Sequence, residues 1–382
     1  MKFSDLFSNL SELTIPMVVM WLIGGLLIYL AIKKDMEPSL LLPIGFGAIL
    51  TNLPMSGAVT QLISHGGETD AEVGVLDLLF NSGIANELFP LLLFIGIGAM
   101  IDFGPLISNP KMLLFGAAAQ FGIFFTFSLA RFLGFGLEDS ASISIIGAAD
   151  GPTSIFVANY FNSNYIGAII VAAYSYMALV PIVQPPVIKL LTTKKERRIK
   201  MPYTPKDVSK TTKILMPIVI TIIAGLVAPR SVALVGFLMF GNLIRECGVL
   251  NSLSETAQKV LANLVTLMLG ITVAAKMQAH MFLNFNTLMI LALGLIAFIF
   301  DTAGGVIFAK VLNLFLKKKV NPMVGAAGIS AFPMSSRVIN KMGIKEDPTN
   351  FLLMHAAGAN VAGQVASVIA GGLIITLVEG MI

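Results

Sequence analysis

Apolar runs close to the length of a membrane span recur from Thr14 to Val378, and that single pattern leaves few folds open. A helix rises about 1.5 Å per residue, so about twenty such residues match the roughly 30 Å hydrocarbon core of a bilayer. In lipid each backbone N–H and C=O must be satisfied inside the protein, which restricts a chain of this kind to packed membrane helices. Composition agrees, because only 12% of the 382 residues are charged, about half the roughly 25% of a soluble domain. The links between the runs are short and leave no soluble domain of useful size. The first run, 14–32, follows a mildly charged amphipathic start and has no small-residue cleavage site, so it reads as a retained helix rather than a removed signal.

Several chemistries are excluded at once. Cys247 is the only cysteine, which rules out an intrachain disulfide and a cysteine-based metal centre. His65, His280 and His355 have no metal-ligand spacing, and no G-x-x-x-x-G-K-[ST] loop is present for nucleotide hydrolysis. The net charge of +4 sits in loops and reports orientation rather than nucleic-acid binding.

Lys and Arg concentrate at Lys33-Lys34, Lys194 to Lys200, Lys317-Lys318-Lys319 and Arg337 to Lys345, and these are assigned to the cytoplasm. The acidic links Glu68 to Glu72 and Glu138-Asp139 then lie outside, as do both termini. With those anchors the spans fall near 14–32, 38–54, 83–101, 112–135, 164–191, 211–228, 231–247, 259–281, 284–315 and 351–378. Two apolar segments, 141–160 and 321–338, have both flanks on one side and are predicted to be re-entrant hairpins, 137–163 and 317–345 with their flanks. Gly147, Pro152, Ser154, Val157 and Asn159 match Gly328, Pro333, Ser335, Val338 and Asn340 at a constant offset of 181. The link entering the first hairpin is acidic and that entering the second is basic, so the halves 1–200 and 201–382 are expected to be repeats of opposite topology. The predicted fold is an all-α polytopic membrane protein of about ten transmembrane helices and two re-entrant hairpins, one integral unit. Such repeats place substrate and ion sites near the midplane, where broken helices meet. The competing reading is that these Gly and Pro residues serve helix packing alone.

Asp150, in Gly147-Ala148-Ala149-Asp150-Gly151-Pro152-Thr153-Ser154, is the residue that demands a function. A carboxylate at bilayer depth costs about 2.5–3.5 kcal/mol on insertion scales, so it faces a partner, a cavity or an ion. Gly151 and Pro152 interrupt the helical ladder beside it and free carbonyls that can ligate a cation. The position equivalent to Asp150 is Ala331, so the repeat supplies one charge and not two. The second hairpin adds Asn321, Gly325 and Ser330, an amide, a bendable backbone and a hydroxyl suited to sodium. Asn321 also fits an interfacial cap, and Ser330 a back-bond within its helix. Tyr174 and Tyr176 stand two apart on a helix, so one of them faces the site. Asp301, before Gly304-Gly305, is a second intramembrane acid, either another cation ligand or a buried acceptor. Asp102 reads as a helix cap, and Arg337 as an anion-facing or snorkelling side chain.

The combination of Asn86-Glu87-Leu88-Phe89-Pro90, Gly98 to Pro105, Gly147 to Thr153, Tyr174-Ser175-Tyr176-Met177, Val183-Gln184-Pro185-Pro186, Asp301 to Gly305 and Asn321-Pro322 through Ser330 resembles the beta subunits of the biotin-dependent sodium-pumping decarboxylases of oxaloacetate, methylmalonyl-CoA, glutaconyl-CoA and malonate. The resemblance covers nearly the whole chain. It implies a subunit in the inner membrane of a prokaryote that releases carbon dioxide from carboxybiotin held by a partner, moves Na+ outward and consumes a proton. Carried over by motif, Asp150, Asn321, Gly325 and Ser330 would bind sodium, Tyr176 would join the site and handle the proton, and Arg337 would lie near the biotin route. The segment Ala331-Phe332-Pro333-Met334-Ser335-Ser336 departs from the smaller residues of the family, which affects the shape of the vestibule. The implied partners are a carboxyltransferase subunit, a biotin carrier protein and a small gamma/delta-type membrane subunit, with a trimer of the chain itself. A stand-alone sodium-coupled carboxylate transporter and a purely structural anchor are the rival functions, since a fold alone never fixes function.

Overall fold

The computed structural model of the chain describes residues 11–65, 68–203 and 208–382. Most of the amphipathic start, residues 1–10, lies outside them, as do 66–67 and residues 204–207 near the head of the second half. The protein is an α-helical polytopic membrane protein. Among the described residues seven helices are long and apolar enough to cross a bilayer: Ile15–Lys34, Met112–Phe132, Ile166–Leu191, Lys210–Val227, Asn251–Lys276, Phe285–Phe315 and Leu353–Glu379.

Three predicted spans come out shorter than drawn. Pro38–Thr51 has 14 residues, Leu88–Met100 has 13 and Val232–Glu246 has 15. The predicted helix 83–101 is broken, because Val75–Ile84 and Leu88–Met100 meet at 60°. Glu87 supplies the break, with a left-handed φ of 65° that no helix interior tolerates. In a stretch expected only as a link, Gln61–His65 and Glu68–Glu72 pair as two antiparallel strands.

The chain divides into two compact units, Met1–Pro90 with Asn263–Ile290, and Leu91–Ala262 with Leu291–Ile382. In the first, Ile15–Lys34 and Pro38–Thr51 lie back to back at a pair of glycines. A Cβ added to Gly24 would stand 2.6 Å from the Gly45 carbonyl oxygen, and one on Gly45 equally close to that of Gly24. Small residues are what allow membrane helices to approach this far. Asn52 pins the unit, donating to the Met277 carbonyl at 2.8 Å and accepting from the Ala279 amide at 2.8 Å. Lys276, whose partner the sequence does not reveal, lies 4.4 Å from the ring centre of Phe80, a cation–π contact.

The second unit is organised by Leu353–Glu379, the most buried of the seven, with 72% of its apolar window inside the protein. Its near-continuous Ala, Gly, Val and Ser face lets three other elements pack on it. Gly363 admits the Gly328 carbonyl, Gly371 admits Thr153, and Ala362 lies against Gly116. At 27 residues this helix is about 40 Å long, and its two ends and its middle touch different parts of the chain.

Candidate functional site

Both predicted hairpin segments fold as helix, turn, helix. In the first, Leu137–Ser144 tightens through the 3-10 turn Ile145–Ala148, Ala149 takes a left-handed φ of 52°, and Gly151–Tyr160 begins. A left-handed alanine costs about 1–2 kcal/mol, held here by complete burial. Gly151-Pro152 therefore opens a new helix rather than merely interrupting one. Proline suits its first turn, where N–H groups have no partner anyway. Asp150 is the N-cap, and the first-turn N–H groups favour its negative charge.

Asp150 is 3% exposed. Its Oδ2 accepts from the Thr153 hydroxyl at 2.8 Å, the Ser367 hydroxyl at 2.9 Å and the Gln364 amide at 3.1 Å. Its Oδ1 has only a long contact of 3.5 Å from the Thr153 N–H. One carboxylate oxygen is thus saturated and the other nearly open, an arrangement that fixes the group while leaving a face for a cation.

The second hairpin turns between Met323–Ala326 and Met334–Glu346, and its tip reaches this place. Ser330 donates to the Ala148 carbonyl twice, from Oγ at 2.8 Å and from its N–H at 3.2 Å. The tips are held on either side by amides. Gln120 Nε2 donates to the Gly328 carbonyl at 3.4 Å, Asn360 Nδ2 to that of Ile329 at 2.7 Å, and Gln184 Nε2 to that of Ala326 at 2.8 Å.

The hairpin bases lie at opposite ends of Leu353–Glu379. Tyr160, at the end of the first hairpin, donates to Glu379, which also pairs with Arg230 at 2.7 Å. At the other end His355 meets the Met201 carbonyl at 3.1 Å, and the second hairpin base is clamped to the chain beside it. There Arg197 pairs with Glu346 at 2.7 Å, and Lys200 with Asp347 at 3.2 Å. Hydrogen bonds from the Thr349 hydroxyl and N–H, with the Lys200 pair behind them, hold the exposed Asp347 carboxyl down at about 2. Gln364 and Ser367, near the middle of the helix, touch Asp150.

The structure joins Ser330 to Ala148, two residues before Asp150, and gives the other predicted site residues partners of their own. Asn321 donates to the carbonyls of Arg197 at 2.8 Å and Ile199 at 2.9 Å, while its Oδ1 accepts from the Met323 N–H at 3.1 Å. Gly325 is packed backbone to backbone on Gly305, where a Cβ on either would lie 2.1 Å from the other's carbonyl oxygen. Tyr176 donates its hydroxyl to the Leu291 carbonyl. It is the ring of Tyr174 that lies on Gly151, with Cε1 2.2 Å from where a Cβ would be. Arg337 is exposed and makes no ion pair among the described residues. Asp301 is buried against the N–H of Gly122. Asp102 accepts from the Gly104 N–H at 2.8 Å, but the N-cap of the helix Gly104–Ser108 is Phe103 and not Asp102.

Thr153, Gln364 and Ser367 were not legible as site residues. A signal existed for each: Thr153 follows the N-cap by three, and Gln364 and Ser367 are the polar pair at i, i+3 in an otherwise apolar stretch of the last helix.

This geometry meets a matching family. The family model of the Na+-transporting oxaloacetate decarboxylase beta subunit matches residues 16–378. The chain belongs to that family. It is 50% identical over 374 residues to the methylmalonyl-CoA decarboxylase subunit beta of Propionigenium modestum, covering 94% of each chain. To the glutaconyl-CoA decarboxylase subunit beta of Acidaminococcus fermentans it is 49% identical over 362 residues, 95% of this chain and 93% of the relative. To the oxaloacetate decarboxylase beta chain of Klebsiella pneumoniae it is 44% identical over 423 aligned positions, 98% of each. This beta subunit is the membrane subunit of a sodium-pumping decarboxylase and works in a multi-subunit complex. A stand-alone carboxylate symporter is not favoured.

Proposed function

We propose that this subunit couples loss of carbon dioxide from carboxybiotin, carried by a partner subunit, to outward movement of one Na+ at Asp150, with a proton consumed. The observation that carries the reading is the crossing of the two hairpin tips at a carboxylate with one saturated and one nearly open oxygen. Asp150 Oδ1, the oxygen without a close partner, is the ligand assigned to sodium, the transported substrate. The opposite placement of the hairpin bases on the last helix supports the entry of two re-entrant hairpins from opposite sides, and ten spans, inverted repeats 1–200 and 201–382 and both termini outside belong to the same proposal.

Binding of the cation neutralises Asp150, so the crossed tips become a compact apolar body able to move past the rest of the protein. Such a body transports only if the ion's affinity differs between its two positions. Biotin on the partner supplies the carboxyl group whose loss provides that bias. The residues present suit an anion there: Arg337 offers an exposed, unpaired guanidinium on the arm that follows Ser330. Asn321 and Gly325 position that arm, one by gripping Arg197 and Ile199, the other by seating it on Gly305. Tyr176, hydrogen-bonded to Leu291, is the phenol assigned to the proton. Carboxyltransferase, biotin-carrier and small membrane subunits complete the complex, around a trimer of this chain.

The test uses Asp150→Asn in the assembled complex in membrane vesicles. Sodium-dependent decarboxylation and 22Na+ movement are both expected to vanish, while the subunits still co-purify. Full activity in that variant refutes the assignment.

A further inference from the structure

A cavity of about 1010 Å³ in the second unit takes no part in the Asp150 site. It lies where the long helix Phe285–Phe315 ends, the helix Met112–Phe132 begins and the chain enters the second hairpin. Its lining carries Lys111, Lys200, Lys317, Lys318 and Lys319, brought from three stretches of sequence, and no Asp or Glu lines it among the described residues. The walls are apolar. Met112 and Phe115 are buried, and Leu312, Leu316 and Val320 are half-buried.

Two of the five ammonium groups have partners in the chain: Lys200 pairs with Asp347 at 3.2 Å, and Lys319 donates to the Asn313 carbonyl. Lys111, Lys317 and Lys318 are exposed and form no ion pair among the described residues. Like charges gathered around a cavity without acids repel one another, so the arrangement is favoured when an anion joins it.

Membrane depth selects the anion. Leu314 and Phe315 are 77% and 80% exposed, as residues facing acyl chains are, and Lys317 follows two residues later. The polar layer between hydrocarbon and water is only about 5–8 Å thick, so these lysines stand at the level of lipid phosphates. Their excess places this end in the cytoplasm, and basic pockets between helices on that side suit anionic head groups. A small soluble anion would engage the lysines and leave the apolar walls in water. A lipid satisfies both parts, because Leu312, Phe315 and Leu316 share one helix face along which an acyl chain can lie.

We propose that this cavity binds an anionic phospholipid, its phosphate held by Lys111, Lys317 and Lys318 and one acyl chain against Leu312 and Leu316. Val320 in the wall precedes Asn321, and the backbone carbonyl oxygen of Phe115 lies 2.3 Å from where a Cβ on Gly328 would stand. The lipid therefore braces the second hairpin at its base and the helix packed against its tip. The inference needs the chain to lie in a membrane, and it is independent of the Asp150 assignment.

The test follows the thermal midpoint of the delipidated, purified complex in nonionic detergent as phosphatidylglycerol, phosphatidylcholine or soluble glycerol phosphate is added. Phosphatidylglycerol should raise the midpoint of the parent, and the other two should not. In the triple variant Lys111→Gln, Lys317→Gln, Lys318→Gln, the phosphatidylglycerol needed for half the rise should increase more than about tenfold. No rise in the parent, an equal rise with phosphatidylcholine, or an unchanged requirement in the variant overturns the site. An equal rise with glycerol phosphate makes a free phosphate ester the occupant and overturns the lipid. Loss of the soluble subunits from the variant with an unaltered lipid response marks a protein interface and overturns it too. If the triple variant does not assemble, Lys318→Gln alone should retain less phospholipid by native mass spectrometry, and equal retention overturns the proposal.

Discussion

The two hairpins carry one motif to two different ends. In the first, the tip holds a charge: Asp150 with donors from Thr153, Gln364 and Ser367. In the second, the equivalent position is Ala331, and the tip offers backbone and the Ser330 hydroxyl to the Ala148 carbonyl. The first is a polar pocket built by neighbouring side chains, whereas the second is a shaped backbone seated on glycine and gripped by amides. An intramembrane site tolerates one carboxylate for one cation, since a second would leave an uncompensated charge in an apolar interior. The two matching segments thus differ, one with a charged tip and one seated by backbone fit.

That contrast is broken most severely at Gly325→Ala. Its new Cβ would sit 2.1 Å from the Gly305 carbonyl oxygen, the first fixed in direction by its own Cα and the second part of the backbone, so neither has a rotamer to yield. Overpacking of this kind costs about 1–3 kcal/mol, so a lower thermal midpoint of the complex and loss of most turnover are expected. A variant indistinguishable from the parent in both would show that the second arm is not held by fit. Next comes Ser367→Ala, which removes one of three donors that fix the Asp150 carboxylate. Hydrogen bonds to charged groups contribute about 1.5–3 kcal/mol, and sodium half-saturation of decarboxylation should rise by about tenfold with assembly intact. Ser330→Ala is milder, because the Ser330 N–H still reaches Ala148. About 1 kcal/mol is at stake, read as a few-fold drop in turnover with little change in sodium dependence.

The smallest effect belongs to Asp347→Asn at the base of the second hairpin. The folded Asp347 carboxyl is held down at about 2 by Thr349 and Lys200. Its contribution is fully present above the unfolded value and is lost only as pH falls from about 4 through about 2. Between about pH 5 and 8 the variant should lie below the parent in thermal midpoint by a small and constant amount, with turnover unchanged, and the gap should close as pH falls through about 2. A pH-dependent difference within that window would mean that the exposed pair does more than trim the surface.

How legible all this was in sequence differs by level. The apolar runs located the helices, because hydrocarbon thickness sets a length that composition must obey. Their ends were less readable. The polar pair Asn86-Glu87 marked the place where the span drawn over 83–101 breaks but not the 60° bend, and the strands at Gln61–His65 and Glu68–Glu72 depend on hairpin pairing rather than on membrane fit. Asp150 announced itself, since an acid in an apolar segment carries a burial cost that calls for partners. Its partners did not: Gln364 and Ser367 are 214 and 217 residues away, and no local pattern ties them to Asp150. Asn321 shows the opposite limit, for its chemistry suits a cation ligand, while its amide is committed to Arg197 and Ile199.

The sequence by itself determined that this chain is a membrane helix bundle with an intramembrane acid at a helix break and a matching segment half a chain later. Periodicity, burial cost and the conformational limits of Gly and Pro are local properties, so a string of residues carries them. Only the tertiary structure decided that the two segments touch through Ser330 and Ala148, that Tyr174 rather than Tyr176 lies on the first tip, and that Asp301 faces Gly122 with one oxygen unpaired. Those facts depend on which glycine lets which helix approach. Close packing settles that jointly among residues far apart in sequence, and no single stretch of the chain contains it.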